Sequence, residues 1–551
     1  MKNKYLLISV LSVLALVSCR KGDDGMLCLS IEGMGGTKMA VEDNVSYWAT
    51  GDCVNINGTT ATIDISTSGA TATTTVSVAE ADAYFGVYPA GILGSNSGAD
   101  YTLNLPDTYT YATTVLHGRT FHSLQAPMVG YSTGTSMQFK HVTAAINVQV
   151  INHYGFTIEV DSIVVASNKY KLNGSTVVTI GNTVTVSPEA AEGDANAGLR
   201  RVKMTGGSAL RIVAGDTVTV QVPVLPVGND NRFTVTVGVH KLDQSAVNKV
   251  FSKTQAGGSS DGYALGRAQV GYAPVAFGGL FSVGTASKVI ISQGNLQYQA
   301  STDTWRFAPE QYTAIGNAVG NSNFTDTRST QSDWIDLFGW GTSGHDHGNT
   351  YYMPYDCETG NSGEAYGYGP KTGSAYTAYN LTLDNNGDWG VNAISNGGNE
   401  AKYWYTISSA QIDTLLTIRT CSQVGSTADA RYAKSKVNSV NGLIIFPDEY
   451  VHPDGVVSPT NPNIPGTGGF IGDNYDLSSW YKMEAAGAVF LPITGRIETK
   501  KIQSTQQGHY WTSTFYLKQA YNMNFASVAF NVNAKVNRYY GCAVRLVHAV
   551  E

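Results

Sequence analysis

Charge is scarce in this sequence. Asp, Glu, Lys and Arg make up 14% of its 551 residues, against about 25% in an ordinary soluble domain. The net charge is −7 and no long basic block is present, which argues against nucleic acid as a partner. Cysteine is scarce too. There are six, none with CxxC or His/Cys metal-ligand spacing, so no metal centre or cofactor is expected. Sustained helical periodicity is missing from residues 26 to 275. No Ser/His/Asp set, phosphate-cradling glycine loop or GxSxG nucleophile elbow stands out, and no enzyme is expected.

Uncharged polarity fills the space that charge leaves. Gly (60) and Tyr (32) are abundant, with Thr and Val, and this mixture favours strands and turns. Apolar residues, at 42%, suffice for real cores, and the length implies several domains.

The N-terminus reads as an export signal. Met1-Lys2-Asn3-Lys4 is positive, and Tyr5 to Val17 is almost wholly apolar. That run is too short to span a bilayer core of about 30 Å but fits a secretory h-region. Leu16-Val17-Ser18-Cys19 follows and resembles the bacterial lipobox. The resemblance implies cleavage before Cys19 and lipidation of its thiol, with residues 1–18 as signal peptide. Residues 19–25, polar and glycine-punctuated, read as a flexible tether. Of the other cysteines, Cys28 and Cys53 are a candidate bridge in an oxidising compartment. Buried single thiols are the alternative, and the more general expectation for Cys357, Cys421 and Cys542.

From residue 26 to about 275 the pattern is period two. Thr60–Ile65, Thr73–Val78, Ala145–Val150, Thr217–Val222 and Phe233–Val237 each place one face in a core and one in water. Asn57-Gly58, Asn173-Gly174, Gly215-Asp216 and Gly228-Asn229 interrupt them as turns. The pattern is that of β-sandwiches, and the length suggests two, 26–152 and 153–278.

Several motifs in this region resemble those of the Bacteroidetes fimbrillins. They are Trp48-Ala49-Thr50-Gly51-Asp52, Tyr88-Pro89-Ala90, Ala126-Pro127-Met128, Phe139 through Val148, and Pro223-Val224-Leu225-Pro226. The resemblance implies two transthyretin-like β-sandwich domains and subunits made as outer-membrane lipoproteins. It also implies assembly with other pilus subunits by donor-strand exchange, after a trypsin-like protease removes the first strand. Here that strand would be Met26 to Gly33, with Lys38 or Arg20 at the cut. Lys38 departs from the Arg usual at that place. As residues, all these motifs have structural explanations. Trp48 is expected in the core, and the prolines end strands.

A second block, 279–551, carries seven of the eight tryptophans. Asn441–Asp448, Gly487–Pro492, Tyr510–Thr514 and Gly541–Val547 together resemble the C-type-lectin-like modules at the C-termini of Bacteroidetes surface proteins. The resemblance implies an α+β C-type-lectin-like domain. Its helical content is expected mainly at Ser408–Arg419, with Ser408 as N-cap and Ile412, Leu415 and Leu416 on the buried face. Gly541 to Glu551 is expected as an internal strand. The fold expected for the whole chain is mostly β, two sandwiches followed by this module.

Three features of the block carry candidate chemistry. His345-Asp346-His347 has ligand types for a transition metal but no third cluster, and reads as a solvated loop. Asp384, Asn386 and Asp388 place oxygens as a calcium loop does. Trp389 stands where that loop needs glycine, and no bidentate Glu follows, so a plain turn is expected. The calcium-lectin sugar motifs are absent. Aromatics in the Gly/Asn-rich stretch 341–399 are the better candidates for a glycan or host-protein ligand: Tyr351, Tyr352, Tyr366 and Tyr368, with Trp340 beside them. The function expected is a fimbrial subunit at the outer membrane and cell surface, a minor or tip pilin adhering through its C-terminal module. The alternative is a lipid-anchored glycan-binding protein that does not polymerise.

Overall fold

The computed structural model describes residues 26–31, 48 and 51–550, apart from 66–70, 76–77, 117–118, 124–125, 207–209, 243–249, 258–262, 317–318, 323–327, 348–351, 356–378, 465–469, 471–472 and 499–500. Cys19, Arg20 and Lys38 lie outside the described residues, as do Tyr351, Tyr366 and Tyr368. The fold is mostly β, as expected.

The period-two segments are strands. Thr217–Val224 and Val270–Gly278 flank Ala144–His153, the first antiparallel and the second parallel to it. Phe233–Lys241 pairs with Ile158–Ser167, its burial alternating residue by residue. The inward valines of these strands, among them Val148, Val165, Val220 and Val237, form one core.

The first strand, Met26–Ile31, lies between two others. It runs parallel to Ser136–His141 and antiparallel to Thr71–Thr75. Leu29 enters the same core as Trp48, Val54, Met137 and Phe139. Trp48 meets Tyr88 and Phe139 edge-on, each at 5.3 Å, and Tyr88 Oη donates to the buried Asp52 at 2.7 Å. Tyr88 and Asp52 belong to the motifs read from the sequence, and their part here is packing.

Two further arrangements bear on the sequence reading. Asp100–Leu105 pairs with Gly174–Ile180, and Thr108–Leu116 with Arg201–Gly206, so hydrogen-bonded pairing runs across residues 152 and 153. The Cys28–Cys53 bridge is a correction, since Cys53 is a free thiol. Its strand, Cys53–Ile56, is separated from Met26–Ile31 by three intervening strands of the same sheet. Four strand spacings amount to about 19 Å, and a disulfide needs Cα atoms within about 7 Å.

Among the described strands, none pairs across residue 279. Beyond it Leu546–Val550 is held between Lys288–Ile291 and Tyr405–Thr406, the internal strand expected. Gly508–Tyr516, Gln519–Phe525 and Phe530–Asn537 form a three-stranded antiparallel sheet. Ser408 caps the helical segment as expected. Its side chain accepts from Gln411 N while Gln411 answers to the Ser408 amide, and Ile412, Leu415 and Leu416 are buried. A second helix, Leu477–Ala485, was not anticipated. Asp476 caps it and Trp480 and Met483 bury its inner face.

Candidate ligand-binding loops

The tryptophans of the C-terminal block pin irregular chain in place. Trp340, Trp389, Trp404 and Trp511 are all but wholly buried. Each indole N–H donates to a backbone carbonyl: Trp340 to Thr512 at 2.8 Å, Trp389 to Thr342 at 3.0 Å, Trp404 to Gly397 at 2.7 Å and Trp511 to Phe338 at 2.7 Å. A large ring supplies the apolar burial, and its single donor is satisfied by a buried backbone carbonyl.

Trp340 is therefore a core residue, at 0% exposure, with the Arg538 guanidinium 4.7 Å from its ring centroid. Expected as a ligand contact beside the tyrosines, it instead turns its ring inward and presents no face to a ligand.

On this frame sit two loops. Ser343 Oγ donates to Asn386 O at 2.5 Å, and Asn392 Nδ2 donates back to Ser343 O at 2.8 Å. Gly344 N donates to Tyr352 O at 2.9 Å, which fixes the backbone of half-buried Tyr352 against the first loop. Tyr379 stands at 65% exposure. Its neighbour Asn380 accepts from Phe515 N at 3.2 Å, so the second loop is tied to the three-stranded sheet. Of the tyrosines in the described part of the region, Tyr352 and Tyr355 are half-buried, Tyr355 packing against the core, and Tyr379 is exposed. Tyr379 was missed from sequence, where nothing set it apart from its neighbours. Asn392 and Ser343, which join the loops, were missed because their roles depend on each other.

The polar candidates are used internally. His345 Nε2 lies 3.2 Å from Asn392 Oδ1, and His347 Nε2 lies 2.8 Å from Gly341 O. Burial holds the His347 imidazole below the usual histidine range. Among the described residues no group of three or more His, Cys, Asp or Glu side chains could hold a metal ion.

Asp388 is 2% exposed. It accepts from Gly390 N at 2.9 Å, from Thr406 N at 2.9 Å and from Thr406 Oγ1 at 2.9 Å. It thereby caps the short turn Trp389–Val391 and anchors Tyr405–Thr406. Asn386 has a left-handed backbone (φ 57), and Asn385 Oδ1 accepts from Thr382 N and Gly387 N. Asp384, Asn386 and Asp388 thus belong to a side-chain-bonded turn.

Of the two strings of the GxSxG form, Gly258-Ser259-Ser260-Asp261-Gly262 lies outside the described residues, and the other is Gly130-Tyr131-Ser132-Thr133-Gly134. It joins Met128–Ser132 to Ser136–His141, strand to strand, whereas a nucleophile elbow turns from strand to helix. Ser132 Oγ donates to Ser136 O at 2.5 Å and accepts from Gly134 N at 3.0 Å, so it stabilises a hairpin.

No family model matches the chain, and no curated protein matches it. The chain is similar over part of its length to several solved proteins. One is a Bacteroides ovatus protein described as a candidate cell adhesion protein (14% identity, TM-score 0.26, 47% of this chain and 93% of that one). Another is a candidate cell adhesion protein of Bacteroides fragilis (11% identity, TM-score 0.25, 46% and 93%). A third is a fimbrial protein of Bacteroides vulgatus (12% identity, TM-score 0.21, 45% of this chain and 95% of that one).

Proposed function

We propose that this chain is a cell-surface adhesion protein and a subunit of a fimbrium, adhering through its C-terminal block without enzymatic activity. In this reading Cys19 carries a lipid that holds the chain at the outer membrane before assembly. Proteolysis at Lys38 or Arg20 then removes the first strand, and a strand from another pilus subunit replaces it.

The observation that carries the reading is the place of Met26–Ile31. It sits inside a sheet, bonded on both edges, with Leu29 in the core. Its loss would expose two rows of backbone donors and acceptors together with an apolar slot, the conditions for β-augmentation. Leu546–Val550, by contrast, is bonded on both sides and is not a spare strand. This supports a subunit that accepts a strand there and donates none from that segment, hence a minor or tip position. The loops around Tyr352 and Tyr379 offer aromatic faces and amides at low charge, suited to a glycan or host protein.

N-terminal sequencing of the surface-released protein tests the reading. A start near Met39 is the expected result. Mature protein that keeps a lipidated Cys19 would overturn the assembly step and leave a tethered glycan-binding protein in its place.

A further inference from the structure

Where the strand-rich region meets the C-terminal block lies a cavity of about 180 Å³, walled by both. His153 and Lys253 face it from one side, and Lys288, Asp448 and Glu449 from the other. Both halves supply its walls, and it shares no residue with the loops around Tyr352.

Its charges are unequally engaged. Asp448 is saturated, since Oδ1 accepts from Arg419 at 2.7 Å and from Ser282 N at 3.1 Å, and Oδ2 accepts from Ser282 Oγ at 2.7 Å, with Lys288 Nζ 3.6 Å away. Lys253 Nζ donates to Ala276 O at 2.7 Å, one use of an ammonium that has three N–H groups. Burial, and then the charges of Lys253 and Lys288, hold His153 below the usual histidine range, while Glu449 works against them. Both lysines and Glu449 therefore act on one small space. With Arg419 and Asp448 cancelling, the walls carry two positive charges against one negative, around a neutral imidazole that has one donor and one acceptor.

A phosphate or sulfate would bring its charge against Glu449. A ligand with one carboxylate and several hydroxyls suits the walls better: the ammonium groups take the carboxylate, and Glu449 accepts from a hydroxyl. The volume is below the roughly 300–1,000 Å³ of pockets that enclose drug-sized ligands, so it admits one sugar residue and not an oligosaccharide. We propose that this cavity binds the carboxylate-bearing residue of an acidic glycan, held by Lys253, Lys288, His153 and Glu449. The proposal does not depend on fimbrial assembly.

The test is calorimetric or ligand-observed NMR titration of the full chain with glucuronate, methyl glucoside, acetate and alanine. Glucuronate is expected to bind most tightly, acetate more weakly, and methyl glucoside weakest. Lys253 is exposed and Lys288 half-buried, so Lys253→Gln with Lys288→Gln should fold normally, checked by an unchanged melting temperature. That pair of changes should weaken glucuronate by about tenfold or more, the worth of one charge-assisted hydrogen bond, and leave methyl glucoside unaffected. Glu449→Gln should narrow the advantage of glucuronate over acetate. Equal binding of glucuronate and methyl glucoside, equal binding of alanine, an unaltered double variant, or no binding at millimolar ligand would each overturn the proposal.

Discussion

Tyr154 Oη donates to the backbone carbonyl of Ala485 at 2.8 Å. The bond joins residues 331 apart in sequence, from the strand-rich region to the last turn of a helix in the C-terminal block. Tyr154 also stacks on Phe156 at 4.6 Å, and it is buried. Tyr154→Phe keeps the ring and removes the bond, so it should cost about 1 kcal/mol. Tyr154→Ala empties the site and should cost about 3–5 kcal/mol. Urea unfolding measures both, and equal losses would mean that the ring packing contributes little.

The next residue makes the same junction intolerant of bulk. A Cβ on Gly155 would fall 2.0 Å from Ile291 O and 2.7 Å from the Ser292 carbonyl carbon, both backbone atoms that cannot rotate away. Gln293 N donates to Gly155 O at 3.0 Å across this contact, and Lys241 Nζ, which lies over the Phe156 ring, donates to Pro309 O at 2.8 Å. Gly155→Ala should cost about 3 kcal/mol or more. Limited proteolysis should then release a fragment beginning near residue 281 from the variant and not from the parent protein.

Acid should weaken the protein through His509. Burial, with the Arg496 charge, pulls this imidazole down to about 4, from about 6.5 in an unfolded chain. Between those values the unfolded chain binds a proton and the folded one does not. The stabilising effect is complete above pH 6.5 and is lost as pH falls toward 4. Asp336 opposes it: burial, partly offset by bonds from Asn321 and Ile315, pushes its carboxyl up to about 6. A carboxyl raised in this way makes the fold more stable as pH falls from 6 to about 3.8. His509→Gln should remove only the first effect. Between pH 6.5 and 4.5 the parent should lose about 2 kcal/mol more than the variant, read from urea midpoints.

Asp388 decides between a calcium loop and a turn. Its oxygens are occupied by Gly390 and Thr406 donors, so removing them strands buried N–H and O–H groups. Asp388→Ala should cost about 2–4 kcal/mol, and Asp388→Asn less, because an amide oxygen remains. Millimolar calcium or a chelator should leave the melting temperature unchanged. A calcium-dependent rise would reinstate Asp384, Asn386 and Asp388 as ligands.

How much of this was legible from sequence depends on the range of the interaction. Alternation over Phe233–Val237 and the Ser408–Gln411 capping box are local, and the fold obeys both. Trp48 could be assigned to a core because a large ring beside a turn has few other uses. The pairing of Asp100–Leu105 with Gly174–Ile180 spans about seventy residues of sequence, and no local pattern records a partner that distant. The Cys28–Cys53 proposal failed for the same reason, since sequence nearness says nothing about how many strands come between. The Leu477–Ala485 helix is short, and its apolar side is interrupted by Lys482 and Glu484, which masked its period. Trp340 differs from its expected role because nothing local records whether a ring at the start of a loop turns out or in. The cavity near Lys253 draws on six separated segments and leaves no motif.

The last prediction concerns the first strand. Met26–Ile31 gives five paired positions to Thr71–Thr75 and four to Ser136–His141, and Leu29 is 1% exposed in its core. A chain beginning at Met39 should therefore fold less stably, with the edges of both neighbouring strands open. A synthetic peptide of the sequence Met-Leu-Cys-Leu-Ser-Ile should restore the lost stability in a concentration-dependent way. At 100 times its dissociation constant the gain is about 2.7 kcal/mol. Register makes the test specific. Exchanging Leu29 for Asp puts a charge into an apolar slot and should abolish rescue. A scrambled peptide of the same composition moves side chains to the wrong face and should also fail. Melting temperature against peptide concentration gives the answer. Equal rescue by all three peptides would mean that the slot is generic apolar surface, and equal stability of the full and shortened chains would mean that the strand is dispensable to the fold.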